Sequence, residues 1–119
     1  MQRFGIGEME MRMARLLWDR EEIGSGAVVK LCADEFGWKK STTYTMLRRL
    51  CERGLFQNVN SIVTPLVSEE QYIAKVGKDL LDDKFDGSLP MLVALYAKYY
   101  ELSDKDRQEL LPIISKKNA

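Results

Sequence analysis

The chain has 119 residues, of which 45% are hydrophobic and 30% are charged, a composition typical of ordered globular proteins. Eighteen Lys and Arg residues balance eighteen Asp and Glu residues, so the net charge gives nucleic-acid binding no support. The absence of histidine removes the commonest general base, and two cysteines are too few for a metal site. These features disfavour an enzyme, and we expect no cofactor and no catalytic or metal-binding residue.

The location of the protein is predicted from two further features. The N-terminus lacks a charged and then apolar signal sequence, and no apolar run reaches the roughly 20 residues that cross a bilayer. We therefore expect a cytoplasmic protein that does not insert directly into a membrane. Cys32 and Cys51 each lie among apolar residues of predicted helices, so buried free thiols are favoured over a disulfide.

The N-terminal part of the chain predicts two helices. Apolar residues recur at helical spacing within residues 7–18, and glutamates occupy the first turn, where the helix dipole favours anions. Ser25 is expected to cap a second helix that ends near Phe36. Between the two helices, Ile23 is expected either to form a very short strand or to anchor the loop.

Residues 38–55 form the segment around which the rest of the chain is arranged. Ser41 is expected to cap a third helix, and Gly54 to end it in the left-handed conformation. Thr43 and Leu47 belong to a face that points inward. The opposite face offers hydroxyl and guanidinium groups that suit base edges, with cations that suit phosphates. The residues predicted to contact DNA are Lys39, Lys40, Ser41, Thr42, Tyr44, Thr45, Arg48 and Arg49.

Residues 55–67 predict a β-hairpin, because β-branched and apolar residues flank a turn at Asn60 and Ser61. Three helices followed by a hairpin are the order of a winged helix-turn-helix DNA-binding domain, which we expect to occupy residues 1–68. The wing residues are neutral rather than basic, so the third helix is expected to carry more of the DNA binding.

Residues 69–119 predict three further helices and complete a mainly α fold. A capping box in residues 68–71 opens the first of them, and Gly87 and Ser88 separate it from the next. Three helices in about 50 residues do not bury their own apolar surface, so a dimerisation domain is favoured over helices that fold back on the first domain. The residues predicted at the dimer interface are Tyr72, Val76, Leu80, Leu92, Leu95, Tyr96, Tyr99, Leu110, Leu111 and Ile114.

Several motifs match one family of bacterial regulators. Leu16-Leu17-Trp18 ends the first helix, and residues 41–54 have the form S-T-x-x-T-x-L-x-R-L-x-x-K/R-G. Residues 65–72 have the form P-x-V-S-x-E-x-Y, and residues 85–88 are similar to the break between the first two dimerisation helices. On these motifs the chain resembles the penicillinase-repressor family, which also has copper-responsive relatives.

The resemblance implies a homodimeric repressor that binds a palindromic operator of a β-lactam-resistance regulon. It implies base reading by Thr42, Tyr44 and Thr45. It also implies release when a membrane sensor-protease system triggers cleavage in the dimerisation domain. The candidate bond is Leu95–Tyr96, where the β-lactam-responsive members have Asn-Phe.

Two other functional classes remain open. A winged-helix domain can bind another protein without contacting DNA, and the balanced charge and the neutral wing fit that use. A small-molecule-responsive regulator with a pocket between its two domains is the second alternative. Copper sensing is not expected, because residues 115–119 contain no cysteine.

Overall fold

The structure is a computed structural model that describes residues 5–116. Within them, the helices and strands are α1 (Glu8–Trp18), β1 (Ile23–Gly24), α2 (Ser25–Phe36), α3 (Lys40–Glu52), β2 (Phe56–Val59), β3 (Ile62–Pro65), α4 (Glu69–Lys84), α5 (Leu89–Tyr99) and α6 (Asp104–Ser115). Three helices, a hairpin and three more helices confirm the predicted fold class. No helix within the described part of the chain is long and apolar enough to cross a bilayer.

The chain forms two compact units, Met1–Gly77 and Lys78–Ala119, and the division falls inside α4. The domain boundary that the sequence predicts, after Ser68 and just before this helix begins, stays a prediction. The first turns of α4 belong to the first unit because Tyr72 packs there, with its ring centroid 5.7 Å from that of Trp18.

The apolar core lies in the first unit, where α1, α2 and α3 meet the hairpin. The large side chains that are most deeply buried are Phe56, Met13, Leu17, Leu50, Val28 and Val63. Burial of each such side chain contributes about 1.5–3 kcal/mol. Trp18 covers one edge of this core, with its ring centroid 5.4 Å from that of Phe56 and its indole N–H donating to the Val67 carbonyl at 3.0 Å. Trp18 is therefore a packing residue.

Two predicted helix caps are wrong. Gly24 rather than Ser25 caps α2, and Lys39 rather than Ser41 caps α3, in both cases without a side-chain hydrogen bond. Ser25 is buried, and its N–H donates to the carbonyl of Ser61 at 2.8 Å. Tertiary contact with the hairpin, rather than a local cap, therefore fixes the start of α2.

The wing is the predicted hairpin, extended by one short strand. Val59 pairs with Ile62 across its end, and Ile23 of β1 pairs with the other edge of β3, which confirms the short-strand alternative. Asn60 and Ser61 have φ values of +52° and +62°. Positive φ at both central residues identifies a type I′ turn, whose twist matches that of the flanking strands.

The helix starts of the C-terminal half depend on local side-chain caps. The capping box of α4 is confirmed, because the Gln71 N–H donates to Ser68 Oγ at 3.1 Å and the Gln71 side chain accepts the Ser68 N–H at 2.8 Å. Ser88 caps α5 by accepting the N–H of Met91 at 3.1 Å. Ser103 opens α6 with a second capping box. These helix boundaries are therefore set by neighbours in the sequence.

A buried carboxylate joins α1 to α3. Glu10 is 7% exposed and shares the inner face of α1 with Met13 and Leu17. Its Oε1 lies 3.8 Å from Nη1 of Arg49, and its Oε2 lies 3.8 Å from Nε of Arg53. Two cations offset the cost of burying the carboxylate, and their contacts hold the C-terminal half of α3 against α1.

Replacing Ser61 with glycine should raise the free energy of unfolding by about 0.5–1 kcal/mol, because residues other than glycine are strained at positive φ. The same replacement at Ser41, in the first turn of α3, should instead lower it by at most about 0.5 kcal/mol, because glycine favours a helix less than serine does. Urea denaturation measures both changes. A Ser61→Gly protein that is no more stable than the wild type would contradict the type I′ turn.

Glu10→Gln should lower the free energy of unfolding by about 1–2 kcal/mol, because the two arginines lose the anion between them. The loss is smaller than for a fully buried pair, since the side chains of Arg49 and Arg53 are 52% and 47% exposed. The control Glu8→Gln removes an exposed ion pair with Arg12 on the same helix and should cost less than about 0.5 kcal/mol. Equal urea midpoints for the two variants would exclude the bridging role of Glu10.

Candidate DNA-binding surface

The surface that the sequence predicts to contact DNA is one side of α3. The exposed residues of this surface are Lys39, Lys40, Ser41, Tyr44, Arg48 and Arg49, and the half-buried residues are Thr42 and Thr45. The residues buried on the opposite side are Thr43, Met46, Leu47 and Leu50. This burial fixes the rotation of α3 about its axis. Ser41, Thr45 and Arg48 consequently share one exposed face, because they follow one another at helical spacing.

The N-terminal half of α3 offers hydroxyl groups next to lysines. The Thr45 hydroxyl donates to the backbone carbonyl of Ser41 at 2.9 Å, so its oxygen keeps lone pairs that can accept hydrogen bonds. The Lys40 ammonium lies 5.9 Å from the centroid of the Tyr44 ring, a cation–π distance. In a helix-turn-helix, the N-terminal residues of the second helix contact base edges. These groups have the donors, acceptors and charges that such contacts require.

The arginines of α3 divide between two surfaces. The side chain of Arg48 is 69% exposed, and its Nε lies 3.7 Å from Oε1 of Glu52, one turn further along the helix. Arg49 and Arg53 lie instead against Glu10 of α1. The structure therefore leaves Arg48 beside the hydroxyl groups and directs Arg49 toward α1, although the sequence suggested a DNA contact for both.

The sequence alone did not reveal that Glu10 pairs with Arg49 and Arg53. Its place in the first turn of α1 predicts only a favourable interaction with the helix dipole. The signal that could have revealed more is its spacing, because Glu10 precedes Met13 and Leu17 by three and seven residues and so lies on the buried face. A buried carboxylate requires a cation or hydrogen-bond donors. Nothing in α1 itself identifies Arg49 as that partner.

The wing contributes polar and apolar groups but no charge to this surface. A depression of about 270 Å³ between α3 and β2 is lined by Tyr44, Leu47, Arg48, Cys51 and Asn58. Asn58, Asn60 and Ser61 are exposed, and residues 55–67 contain no Lys or Arg. The cations beside the depression therefore come from α3, as the sequence predicts.

Both cysteines are free, and neither has the environment of a reactive thiol. Burial raises the pKa of the Cys51 thiol, and the neighbouring Glu52 carboxylate raises it further. Burial also raises the pKa of the Cys32 thiol, an effect partly offset by the neighbouring Thr43 side chain. Both side chains consequently stay protonated at neutral pH. Within residues 5–116, no group of three or more potential ligand side chains could hold a metal ion.

The residues predicted at the dimer interface fall in both units. Tyr72 and Val76 belong to the first unit, where the Tyr72 hydroxyl accepts the N–H of Ile6 at 2.8 Å. Tyr72 therefore has an intrachain packing role that the sequence did not indicate. The second unit holds the half-buried Leu80, Leu92 and Leu110 and the exposed Leu95, Tyr96, Tyr99, Leu111 and Ile114.

Comparisons with known proteins agree with the fold described above. The chain is 25% identical over 113 residues to the penicillinase repressor of Bacillus licheniformis, in an alignment that covers 92% of this chain and 88% of the relative. The solution structure of the DNA binding domain of the repressor BlaI matches with 25% identity and a TM-score of 0.53, covering 60% of this chain and 94% of that domain. Residues 6–116 match the family described as penicillinase repressor. Because this match spans nearly the whole chain, the protein belongs to the penicillinase repressor family, whose members are DNA-binding regulators rather than enzymes.

Proposed function

We propose that this protein is a homodimeric transcriptional repressor that binds a palindromic operator, with α3 of each copy in the major groove. The observation that carries the proposal is the exposed polar and cationic face of α3 on a winged-helix scaffold. Membership of the penicillinase repressor family supports repression of transcription. The regulated genes are proposed to form a β-lactam-resistance-type regulon.

The proposed contacts to DNA differ along α3. Hydroxyl-bearing side chains near its N-terminus would read base edges, and Lys39, Lys40 and Arg48 would contact phosphates or flanking bases. Arg49 would act indirectly, because its ion pair with Glu10 holds the helix in place. A neutral wing adds no phosphate contact from Lys or Arg, so a shallow dependence of affinity on salt is expected.

Dimerisation through the second unit is supported by its exposed apolar surface. None of the side chains described in residues 78–116 is buried. An open groove of about 480 Å³ is lined by Phe85, Leu92, Leu95, Tyr96, Tyr99 and Tyr100. Ile113 and Ile114 of α6 are also 68% and 70% exposed. Burial of this surface by a second copy would supply the hydrophobic stabilisation that one copy lacks.

Release by proteolysis is the remaining part of the proposal. The Leu95–Tyr96 bond lies inside α5, and these two side chains are 40% and 46% exposed. Cleavage of a helical bond requires local unfolding, which costs little free energy where few apolar contacts are buried. A cut at this bond would divide the groove, weaken pairing and so reduce operator affinity through lost avidity. A membrane sensor-protease system would supply the signal.

Arg48→Ala should weaken binding to a duplex that the wild-type protein selects from a random DNA pool by about tenfold, because α3 loses an exposed cation. The slope of log affinity against log salt concentration should fall by about one. Gel-shift titration at several salt concentrations measures both quantities.

Arg49→Ala is the matched comparison. It should lower the free energy of unfolding, because Glu10 loses one of its two cations, and should change the salt slope less.

The control for these two variants is Lys105→Ala, which removes an exposed cation from α6 and should change neither the affinity nor the slope. A wild-type protein that selects no duplex would contradict DNA binding and favour a protein-interaction module. An Arg48→Ala protein with wild-type affinity and slope would exclude Arg48 from the interface.

Leu95→Asp should raise the dissociation constant of the dimer by about tenfold or more, because it places a charge in the apolar groove that the second copy would cover. Leu66→Asp is the control, since Leu66 is also exposed, at 51%, but lies in the first unit. Sedimentation equilibrium measures the association of both variants. Dimers of equal strength would exclude the groove from the interface, and a monomeric wild type would contradict dimerisation.

A further inference from the structure

One peptide group connects the end of α3 to the beginning of α4. The carbonyl of Gly5 accepts a hydrogen bond from Nη1 of Arg53, the C-cap residue of α3, at 3.3 Å. On the other side of the same peptide bond, the N–H of Ile6 donates to the hydroxyl of Tyr72 on α4 at 2.8 Å. The Gly5–Ile6 peptide group therefore bridges the helix that carries the candidate DNA-binding surface and the helix that leads to the second unit.

The bridge requires glycine at position 5. Gly5 has a φ of +86°, a conformation that residues with a side chain rarely adopt. A Cβ atom at this position would overlap the Tyr72 hydroxyl and would lie 3.2 Å from Cγ2 of Val76. Tyr72 and Val76 therefore approach the backbone at Gly5 so closely that no side chain fits between them.

Both ends of the bridge are held by further contacts within the first unit. Arg53 also pairs with the buried carboxylate of Glu10 at 3.8 Å, and the Tyr72 ring packs against Trp18. α4 starts on these contacts and continues without a break to Lys84, past the division after Gly77. These contacts therefore hold the first turns of α4 in place relative to α1 and α3 within the first unit.

We propose that the Gly5–Ile6 peptide group is a positioning element that sets the distance between the two α3 helices of the paired repressor, and hence the half-site spacing of its operator. This inference rests on the proposed function. Dimeric helix-turn-helix proteins read half-sites separated by about 34–36 Å or its multiples, so the two recognition helices must be held at a matching distance. When the first turns of α4 are held in one orientation, the two α3 helices of the pair keep one spacing. When these turns are loosened, the two α3 helices can adapt to other spacings. Tyr72 and Gly5 would then determine operator choice without touching DNA.

Two variants break the bridge in different ways. Tyr72→Phe removes only the hydroxyl that accepts the Ile6 N–H, and Gly5→Ala fills the space that this hydroxyl occupies. The matched control is Gly37→Ala, which adds the same methyl group at another positive φ, +68°, where no atom lies within 4 Å. This control separates the strain of alanine at positive φ from the loss of the bridge.

The probes are duplexes that the wild-type protein selects from a random DNA pool. Each protein is titrated by gel shift against the selected duplex, against the same duplex with one or two base pairs inserted between its half-sites, and against a single half-site. Sedimentation equilibrium of every variant verifies that pairing is retained. Because the half-site duplex does not depend on spacing, it reports whether α3 itself still binds.

The wild-type and Gly37→Ala proteins should lose about tenfold or more in affinity when base pairs are inserted. The loss is part of the gain of about 10²–10⁴-fold that a dimer can obtain by binding two half-sites at once. Tyr72→Phe and Gly5→Ala should lose less than about threefold in affinity on insertion. Loosening the first turns of α4 removes their discrimination between spacings but leaves the contacts of α3 with DNA unchanged. Their affinity for the single half-site should equal that of the wild type. Spacing discrimination is the property that a merely stabilising role of Tyr72 would not change.

Three outcomes would overturn the proposal. The first is wild-type spacing discrimination in both bridge variants. The second is a loss of half-site affinity as large as the loss on the full duplex, which would mean that the variants weaken the fold as a whole. The third is a wild-type protein that selects no two-fold symmetrical duplex, a result that contradicts the proposed function itself and is distinct from the other two.

Discussion

The contact between α1 and α3 combines apolar burial with one buried carboxylate, that of Glu10. Apolar contacts between α1 and α3 provide most of the burial and fix which side of α3 faces inward, and the carboxylate adds a constraint on the residues that lie opposite it. A charge buried in the apolar face of α1 is costly unless cations reach it. Arg49 and Arg53 reach it only when the inner side of α3 faces α1, with both guanidinium groups 3.8 Å from the carboxylate. The opposite side of α3, with Ser41 and Arg48, is then the side that solvent and a partner can reach.

This arrangement changes the electrostatic character of the candidate DNA-binding surface. Residues 39–53 hold five cations and a single glutamate, so the segment looks strongly basic in the sequence. In the folded protein, two of its arginines lie within ion-pair distance of Glu10, and Arg48 lies within ion-pair distance of Glu52. The remaining charge is concentrated at the lysines near the start of α3. Together with a neutral wing, this favours a repressor in which hydrogen bonds to bases contribute a larger share of the affinity than phosphate contacts do.

The two units differ in how they are stabilised. The first has a core that encloses Phe56 and Leu50 almost completely, and its helix positions follow from burial. The second has helices with sound local caps but no buried side chain among its described residues, so its apolar groove is proposed to be covered by a second copy. α4 begins in one unit and ends in the other. Contacts at its first turns, above all those of Tyr72, hold the start of α4 in the first unit.

The sequence by itself determined the order and type of the helices and strands, the inward face of α3 and its end at Gly54, because periodicity and turn chemistry depend on near neighbours in the chain. It placed the caps of α2 and α3 wrongly, at Ser25 and Ser41. A cap contributes only about 1 kcal/mol, and at the start of α2 the contact with the hairpin outweighs it. Only the tertiary structure decided that Arg49 turns toward Glu10 and that Tyr72 meets the backbone at Ile6. Those contacts join residues that are distant in the chain, and no local pattern specifies which distant side chain will satisfy a buried charge or hydroxyl.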